Sequence, residues 1–366
     1  MPRPEETVRR RAAGRHASAE GGRSGVNDPE GRKRASMKVT IREVAREAGV
    51  SVATASNAMN HPGIVRPETR EAVLEAARRL SYVPNANGRR LRAKQSRTIG
   101  LFLNAMNGEF YGVLADTMNQ VCRSQGYELQ ICIVSNLDSI RARLQWLALD
   151  GAVVFWDAVD EQTAGEMATS ECPLVFLALN QQGPHATGIL FESAENGRMA
   201  AEYLYGLGHR RLIHVFGRPG NYDAEQRCQG FLEALEEHGI GRESVPVLDG
   251  LFERAAAYQS LKQYLQAGNP VPEGIFASND LSAIGCITAL NELGYRVPED
   301  VSVMGCDDIS LCEYTNPTLT TIRTHFQEIG TVAAQEVLRL IRGEPGRLIR
   351  QNGLLVERKS CAPADR

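Results

Sequence analysis

Two short stretches of the sequence carry side chains that could take part in catalysis. Asp307-Asp308 is a pair of adjacent carboxylates, a combination that can share general acid and base work. The loop from Gly217 to Gly220 contains glycines that could cradle a phosphate. The acids have no nucleophile or metal-spaced partner nearby in sequence, and the glycines lack the spacing of either phosphate-binding fingerprint. We therefore interpret both stretches as structural turns and expect no enzyme activity.

Residues 40–60 instead carry hydroxyl and amide side chains on a helical pattern. One face of residues 41–48 is apolar, and Gly49 follows where a helix C-terminus favours glycine. Ser51 comes after a tight turn and can cap a second helix over residues 52–60. The full pattern, Ile-x-x-Val-Ala-x-x-Ala-Gly-Val-Ser-x-x-Thr, indicates a helix-turn-helix, whose second helix typically enters the major groove of DNA.

A third helix is predicted from Pro67 to Leu80, because proline suits the first helical turn and the apolar residues keep helical spacing. Together the three helices predict a small DNA-binding headpiece over residues 37–83. Residues 84–97 follow as a basic hinge or linker of marginal helicity around one large apolar side chain, Leu91.

The charge is distributed unevenly along the chain. Residues 37–97 hold 12 Lys and Arg against 5 Asp and Glu, whereas residues 98–366 hold 20 against 34. A basic head on an acidic body suits a protein that neutralises phosphates at one end only. Residues 1–36 are rich in Gly, Arg, Ala and Ser, so we expect a disordered extension. We expect translation to begin at Met37, with a basic arm as the alternative.

After Thr98 the chain alternates apolar runs with amphipathic segments of helix length. Seven apolar runs are predicted strands: 99–103, 129–134, 152–156, 174–179, 212–216, 275–277 and 301–304. This alternation indicates an α/β fold of parallel sheets with helices on both faces. Because some 270 residues exceed one comfortable core, we predict two doubly wound lobes with a ligand cleft between them. The predicted lobes are 98–190 with 322–342, and 191–321 with 343–361.

Composition excludes several classes of protein. The eight cysteines form no C-x-x-C pair and lack neighbouring histidines at zinc spacing, so we interpret them as reduced core residues and expect no metal or other cofactor. No apolar stretch is long enough for a membrane span, and the N-terminus lacks the apolar core of a signal peptide. We expect a cytoplasmic protein.

Ordered motifs along residues 38–361 resemble the lactose-repressor/galactose-repressor (LacI/GalR) family of transcriptional regulators. Besides the helix-turn-helix, the resemblance rests on Val65-x-x-Glu68-Thr69-Arg70, Tyr82-x-Pro84-Asn85, Ser96-x-x-Ile99-Gly100, Leu207-Gly208-His209-Arg210-Arg211, Ser278-Asn279-Asp280 and Pro317-x-Leu319-Thr320-Thr321-Ile322. It implies a helix-turn-helix headpiece and a two-lobed, periplasmic-binding-protein-like domain. The implied function is a repressor, most simply a homodimer on palindromic operator DNA, whose affinity for the operator is controlled by a small-molecule effector.

The resemblance also implies which residues contact DNA. Val52, Ala53 and Asn57 match base-reading positions, and asparagine can bond adenine while small apolar groups meet a thymine methyl. Residues implied near phosphates are Ser51, Thr54, Ser56 and Asn60. Capping of the second helix is the alternative for the first two of these hydroxyls. The linker residues implied to contact DNA are Asn85, Arg89 and Leu91, the last as a wedge in the minor groove.

The effector site is implied in the same way. The matching residues are Phe110, Tyr111, Phe191, Arg227, Phe252 and Asp280, with an interlobe salt bridge and ordinary core aromatics as alternatives. Ala178 and Phe191 align where many family members carry an acidic or polar ligand contact. A sugar acid, glycoside or other modified metabolite is therefore favoured over a free hexose.

Two other functions are compatible with an α/β fold. A transport-type solute-binding protein would need an export signal and no headpiece, and the sequence shows the reverse. An α/β enzyme would need a phosphate loop or a nucleophile with its base, and the sequence offers neither.

Gly88 provides a first prediction, because it stands in the linker where the family usually has alanine. Gly88→Ala should favour a helical linker by up to about 1 kcal/mol and tighten operator binding no more than about fivefold. Binding titrations on one operator would measure the change. Unchanged or weaker binding would mean that Gly88 is not helical in the complex.

Overall fold

The structure is a computed structural model that describes residues 39–61, 63–82, 96–106, 108–156 and 159–364. The described residues fall into two compact units, one ending at residue 82 and the other starting at residue 96. We describe each unit by itself. Within the described residues, no helix combines the length and the apolar character that a membrane span requires.

The first unit consists of three short helices, as predicted. These are α1 (Ile41–Glu47), α2 (Val52–Asn60) and α3 (Pro67–Arg79). Their apolar faces meet in one small core that comprises Val44, Ala45, Ala55, Ala58, Val73, Ala76 and Ala77. Gly49 has a φ of +66°, the left-handed conformation that lets the chain turn sharply between α1 and α2.

The second unit begins with a sheet of seven strands that forms the first lobe. Its strands are β1 (Thr98–Leu103), β2 (Glu128–Ile133), β3 (Gly151–Phe155), β4 (Leu174–Leu177), β5 (Gln182–Gly183), β6 (Ala186–Phe191) and β12 (Leu348–Gln351). The order is β12-β6-β4-β3-β1-β2, all parallel, and β5 pairs antiparallel with β6. The helices of this lobe are α4 (Glu109–Ser124), α5 (Leu137–Trp146), α6 (Glu161–Met167) and α11 (Phe326–Ile341).

The second lobe is built on a parallel sheet in the order β10-β9-β7-β8. Its strands are β7 (Leu212–Phe216), β8 (Val247–Asp249), β9 (Gly274–Ala277) and β10 (Ser302–Met304), with a separate antiparallel pair of β11 (Thr321–Arg323) and β13 (Leu354–Val356). Its helices are α7 (Ser193–Gly206), α8 (Tyr222–Glu237), α9 (Arg254–Gln266) and α10 (Asp280–Glu292). The predicted doubly wound α/β architecture is confirmed, and each of the seven predicted strands is present within two residues at either end.

One predicted lobe boundary is wrong. Residues 343–361 were assigned to the second lobe, but β12 pairs with β6 at the edge of the first sheet, and only β13 returns to the second lobe. The residues of β12 are half-buried or exposed, so this edge strand lacks the apolar run by which the buried strands were recognised. Among the described residues, the chain therefore crosses between lobes after Phe191, near Thr324 and after Gln351.

Two glycines allow α7 and α8 of the second lobe to pack at backbone distance. A Cβ at Gly230 would overlap the carbonyl oxygen of Ala194, and a Cβ at Gly197 would overlap that of Arg227. No flexible side-chain end is involved at either position, so a larger residue must push the helices apart. Because Arg227 lies on α8, this contact also sets the position of a residue implied in effector binding.

Gly230→Ala should therefore destabilise the second unit by about 1–3 kcal/mol, the usual cost of overpacking. Gly112→Ala is the matched control, because it lies in α4 with open space around its Cβ position. The control should be neutral or slightly stabilising, since alanine favours helix. Urea unfolding of the three proteins would give the comparison, and equal midpoints for both variants would contradict the packing argument.

Candidate nucleic-acid interface and ligand cleft

Helix α2 presents its N-terminal residues outward. Ser51, Val52 and Ala53 are exposed, and Val52 keeps 44% of its surface accessible although it is apolar. Ala55 and Ala58 face the headpiece core on the opposite side. An exposed valine and alanine beside an exposed serine leave apolar and hydrogen-bonding groups of one helix end available to a groove of DNA.

The hydroxyls at the start of α2 cap the helix. Ser51 Oγ accepts a hydrogen bond from the backbone N–H of Thr54 at 3.0 Å and lies 2.8 Å from Thr54 Oγ1. Capping, the alternative for these two residues, is thus present, and the exposed Ser51 hydroxyl remains accessible from solvent. Ser56 and Asn57 are half-buried on α2, and Asn60 is its last residue.

The linker residues implied to contact DNA, which are Asn85, Arg89 and Leu91, lie outside the described residues, as does Gly88. Their roles therefore stay predictions from the sequence.

A cavity of about 780 Å³ lies between the two lobes of the second unit. Five of the six residues implied in effector binding line it: Phe110, Tyr111, Phe191, Arg227 and Phe252. It opens where strands end at their carboxyl edges, since Asn104 follows β1 and Asp307 follows the end of β10. Clefts at this edge are the usual ligand sites of doubly wound sheets.

The wall contributed by the first lobe is aromatic. Phe110 lies at the centre, with its ring centroid 4.7 Å from that of Phe326, 5.1 Å from Phe155 and 5.3 Å from Tyr111, each in an edge-to-face arrangement. Phe191 completes the group at 6.4 Å. Phe155 and Phe326 were not predicted, because they lie at the end of β3 and the start of α11, far from Phe110 in sequence.

The wall contributed by the second lobe carries charged side chains, with Phe252 and Leu281 as apolar neighbours. Arg227 is 96% buried, donates from Nη1 to the carbonyl oxygen of Ser278, and has no partner for Nε among the described residues. Asp307 lies beside it on the cleft wall. Burial, together with the nearby carboxylates of Asp280 and Asp223, raises the pKa of Asp307 well above its usual value, although Arg227 opposes the shift.

Asp280 is the predicted effector contact that does not line the cleft. Its side chain is fully buried, with one carboxylate oxygen accepting from the Thr321 hydroxyl at 2.5 Å and the other from the Ile309 N–H at 2.9 Å. Burial raises its pKa to about 6. Asp280 therefore ties β11 to the loop after β10, and Asp307, on that loop, lines the cleft together with Asp223.

The two adjacent aspartates have different surroundings. Asp308 pairs with Arg323 at 2.6 Å and with Arg358 at 2.7 Å, which fits its interpretation as structural. Asp307, which was given the same interpretation, lines the cleft instead. Both have positive φ, 120° and 59°, so the backbone bends sharply at this point and turns neighbouring side chains to different sides. The usable sequence signal was their position immediately after a buried strand.

Ala178 is also placed away from the cleft. It lines a second cavity of about 380 Å³ together with Trp156, Tyr222 and Arg350. Of the two positions aligned with polar family contacts, only Phe191 faces the effector cleft. The apolar part of the cleft is therefore formed by the aromatic side chains of the first lobe, and Ala178 does not contribute to it.

One set of hydrogen bonds joins the lobes at the mouth of the cleft. Glu109, the first residue of α4, accepts from the Ser310 N–H at 2.9 Å and from the Ser310 hydroxyl at 2.7 Å. Glu109 belongs to the first lobe and Ser310 to the second. Because both residues are exposed, these bonds can break without leaving a buried charge unpaired.

Comparison with known proteins gives matches along most of the chain. Residues 40–85 match the family model of bacterial regulatory proteins of the lacI family, and residues 201–361 match a periplasmic binding protein-like domain. The HTH-type transcriptional repressor PurR of Yersinia enterocolitica is 33% identical over 331 residues, covering 88% of this chain and 97% of that protein. The probable HTH-type transcriptional repressor ExuR of Bacillus subtilis is 32% identical over 310 residues, covering 83% of this chain and 92% of that protein.

Solved structures agree in fold. The lac repressor dimer bound to operator and the anti-inducer ONPF superposes with a TM-score of 0.77 at 26% identity, covering 89% of this chain and all of that one. A LacI family regulator from Enterococcus faecium with bound ribose superposes with a TM-score of 0.67 at 26% identity, covering 73% of this chain and all of that one. With relatives above 30% identity along more than four-fifths of its length, the chain belongs to the lacI family of bacterial regulatory proteins and is a DNA-binding transcriptional regulator under effector control.

Proposed function

We propose that the protein is a repressor that binds a palindromic operator as a homodimer and changes its operator affinity when an effector fills the cleft between its lobes. The observation that carries the proposal is the cleft itself, with an aromatic wall on one lobe and Arg227 and Asp307 on the other. A ligand that touches both walls binds the closed arrangement better than an open one. Only such a difference in affinity can shift the balance between two conformations.

Base reading is assigned to Val52, Ala53 and Asn57 on α2. The two exposed apolar side chains suit thymine methyl groups, and the Asn57 amide suits the donor and acceptor edge of adenine. Ser51, Thr54, Ser56 and Asn60 are assigned to phosphates, along with Asn85 and Arg89 of the linker. Phosphate contacts fix the position of the headpiece without reading sequence. Leu91 is assigned to the minor groove between the half-sites.

A homodimer is supported by the first sheet and by a relative. Strand β2 is the edge of that sheet. Two of its side chains, Ile131 and Ile133, are 44% and 54% exposed. Apolar side chains on a sheet edge are usually covered by another chain. The lac repressor, similar to this chain in fold, is a dimer on its operator. Two headpieces related by a two-fold axis require a symmetric site.

The effector is proposed to have a polar or anionic end and a less polar body. Arg227 and Asp307 both line the cleft, so the guanidinium can bind such an end and the carboxyl group can exchange hydrogen bonds with hydroxyls. The body would lie against the ring of Phe110 and its neighbours, where a fully hydroxylated sugar would leave groups without partners. A sugar acid or a glycoside meets both requirements. Asp280 is proposed to act indirectly, by holding the loop that carries Asp307.

The same arrangement argues against catalysis, since the acidic residues on the cleft wall surround an arginine rather than a nucleophile. A regulator whose target is bacterial operator DNA also acts in the cytoplasm.

Asn57→Ala should relax the preference at one base position in each half-site, with a loss of roughly 1–3 kcal/mol of discrimination there. Arg89→Ala should weaken binding to all sequences alike and reduce the salt dependence of the affinity, because a phosphate contact reads no base. Selection from random DNA with wild type and both variants, at one fixed salt concentration, would separate the two behaviours. An even loss across all sequences for Asn57→Ala would refute its role in base reading.

Arg227→Ala and Asp307→Asn should each raise the effector concentration needed to change operator affinity at least tenfold, since both remove a polar contact on the cleft wall. Operator affinity without effector should stay within about twofold of wild type at temperatures where each variant is folded, because neither residue belongs to the headpiece. Since Arg227 also balances buried carboxylates, Arg227→Ala should in addition lower the melting temperature. A thermal-shift screen of sugar acids and glycosides would supply the ligand. Arg123→Ala, an exposed change on α4, is the control.

A variant at either position that responds at wild-type ligand concentrations would show that other residues hold the effector. A screen in which free hexoses shift the melting temperature more than sugar acids or glycosides would contradict the proposed ligand class.

A further inference from the structure

The chain enters the second unit through three residues, Ser96, Arg97 and Thr98, which we call the junction turn. They are the last two residues of the basic linker and the first residue of β1. Whatever displacement the first lobe undergoes must reach the linker covalently through this turn. How firmly the turn is held to the lobe therefore determines how much of a displacement is passed on.

Asp150 holds the junction turn with both of its carboxylate oxygens. Oδ1 accepts from the Ser96 N–H at 2.6 Å and from the Ser96 hydroxyl at 2.8 Å, and Oδ2 accepts from the Arg97 N–H at 3.0 Å. Bonds to a charged acceptor are roughly twice as strong as those between neutral groups. Two of the three donors are backbone groups, so the carboxylate fixes the main chain itself.

The turn is further constrained from within. The Ser96 hydroxyl oxygen accepts from the Thr98 N–H at 3.1 Å, and the Thr98 hydroxyl donates to the Ser96 carbonyl at 3.2 Å. Arg97 has a φ of +54°, a left-handed conformation that non-glycine residues adopt when their surroundings impose it. Its guanidinium lies 5.1 Å from the ring centroid of Tyr127. These contacts fix the backbone conformation of the junction turn.

Asp150 is itself part of the rigid sheet. It directly precedes β3, whose Gly151 pairs with Ile99 of β1, and its own N–H donates to the Thr98 carbonyl at 3.0 Å. Gly100 leaves room for the side chain of Leu149, which a Cβ at that position would meet at 2.6 Å. The acceptor of the junction turn therefore moves with the first lobe.

We propose that Asp150 is the positioning residue that couples the first lobe to the DNA-binding linker. The inference rests on the proposed function, a dimer on a symmetric operator. With Asp150 in place, the points from which the two linkers leave the lobes are fixed, and the headpieces match one half-site separation. Without it, each linker gains length and freedom, which lowers the effective concentration of the second headpiece at its half-site and tolerates other separations.

The experiment measures spacing selectivity with the full-length chain. The DNA is the symmetric site that wild type selects from random sequence, and the same site with one or two base pairs inserted at its centre. Wild type should lose at least tenfold in affinity on the inserted sites. Asp150→Ala should bind the selected site about three- to tenfold more weakly and lose less than threefold on insertion.

Graded variants separate coupling from folding. Asp150→Asn keeps an acceptor for Ser96 but turns an N–H toward that of Arg97, so its insertion penalty should be intermediate, and Ser96→Ala should resemble it. Asp138→Ala, an exposed carboxylate in the first turn of α5, is the control and should match wild type. A merely stabilising role for Asp150 would lower the melting temperature without changing the insertion penalty of the folded protein.

The outcomes separate a failure of the proposed function from a failure of the role proposed for Asp150. If wild type selects no symmetric site, the proposed function fails and the inference fails with it. If wild type shows the insertion penalty and Asp150→Ala keeps it in full, the role of Asp150 is refuted while the proposed function stands. If Asp150→Ala does not fold, Asp150→Asn and Ser96→Ala decide: a wild-type insertion penalty in both refutes the inference, and a reduced one supports it.

Discussion

The buried guanidinium of Arg227 is the constraint around which the second lobe is arranged. A charge removed from water is costly unless hydrogen bonds and opposite charges surround it. Here the carbonyl after β9, at Ser278, accepts from it, and the carboxylates of Asp223, Asp280 and Asp307 contribute the opposite charge. Satisfying one cation thus draws together the start of α8 and the chain beyond β9 and β10. Arg227 also lines the cleft, so the cation that holds these segments together is the same group that is proposed to meet the effector.

The two walls of the cleft differ in chemistry, and the proposed ligand class follows from this difference. The aromatic wall around Phe110 excludes water and rewards apolar contact, whereas Arg227 and Asp307 penalise any ligand that leaves them without partners. A ligand that satisfies one wall alone gains little from closure of the lobes. Glu109 and Ser310 join the lobes at the mouth through exposed hydrogen bonds, which are weak enough in water for the lobes to separate.

Helical periodicity and strand alternation were sufficient to predict the headpiece and the α/β architecture, because both follow from local burial. The cleft was predicted in part. Arg227 and Phe191 line the cleft, as the resemblance implied. Asp280, implied in the same way, does not line it, whereas Asp307, interpreted as part of a structural turn, does. Which carboxylate faces the cleft depends on the positive φ at Asp307 and Asp308, a backbone bend that residue types do not reveal. Phe155 and Phe326 join the aromatic wall only because distant elements meet there, and β12 was misassigned because a half-buried edge strand resembles a loop in composition.

Two strands of the first lobe, β1 and β3, run between the cleft and the junction turn. Strand β1 begins in the junction turn at Thr98 and ends just before Asn104 on the cleft, and β3 runs from beside Asp150 to Phe155. At about 3.3 Å per residue, β1 spans roughly 20 Å and β3 roughly 17 Å from one site to the other. Both strands are central in a parallel sheet, buried and hydrogen-bonded on each side, so they move as one body. In the proposed coupling, a displacement at the cleft end of these strands becomes a displacement of the whole sheet, and Asp150 passes it to the junction turn. Coupling in this chain depends less on a path through side chains than on two rigid strands and the carboxylate at their amino ends.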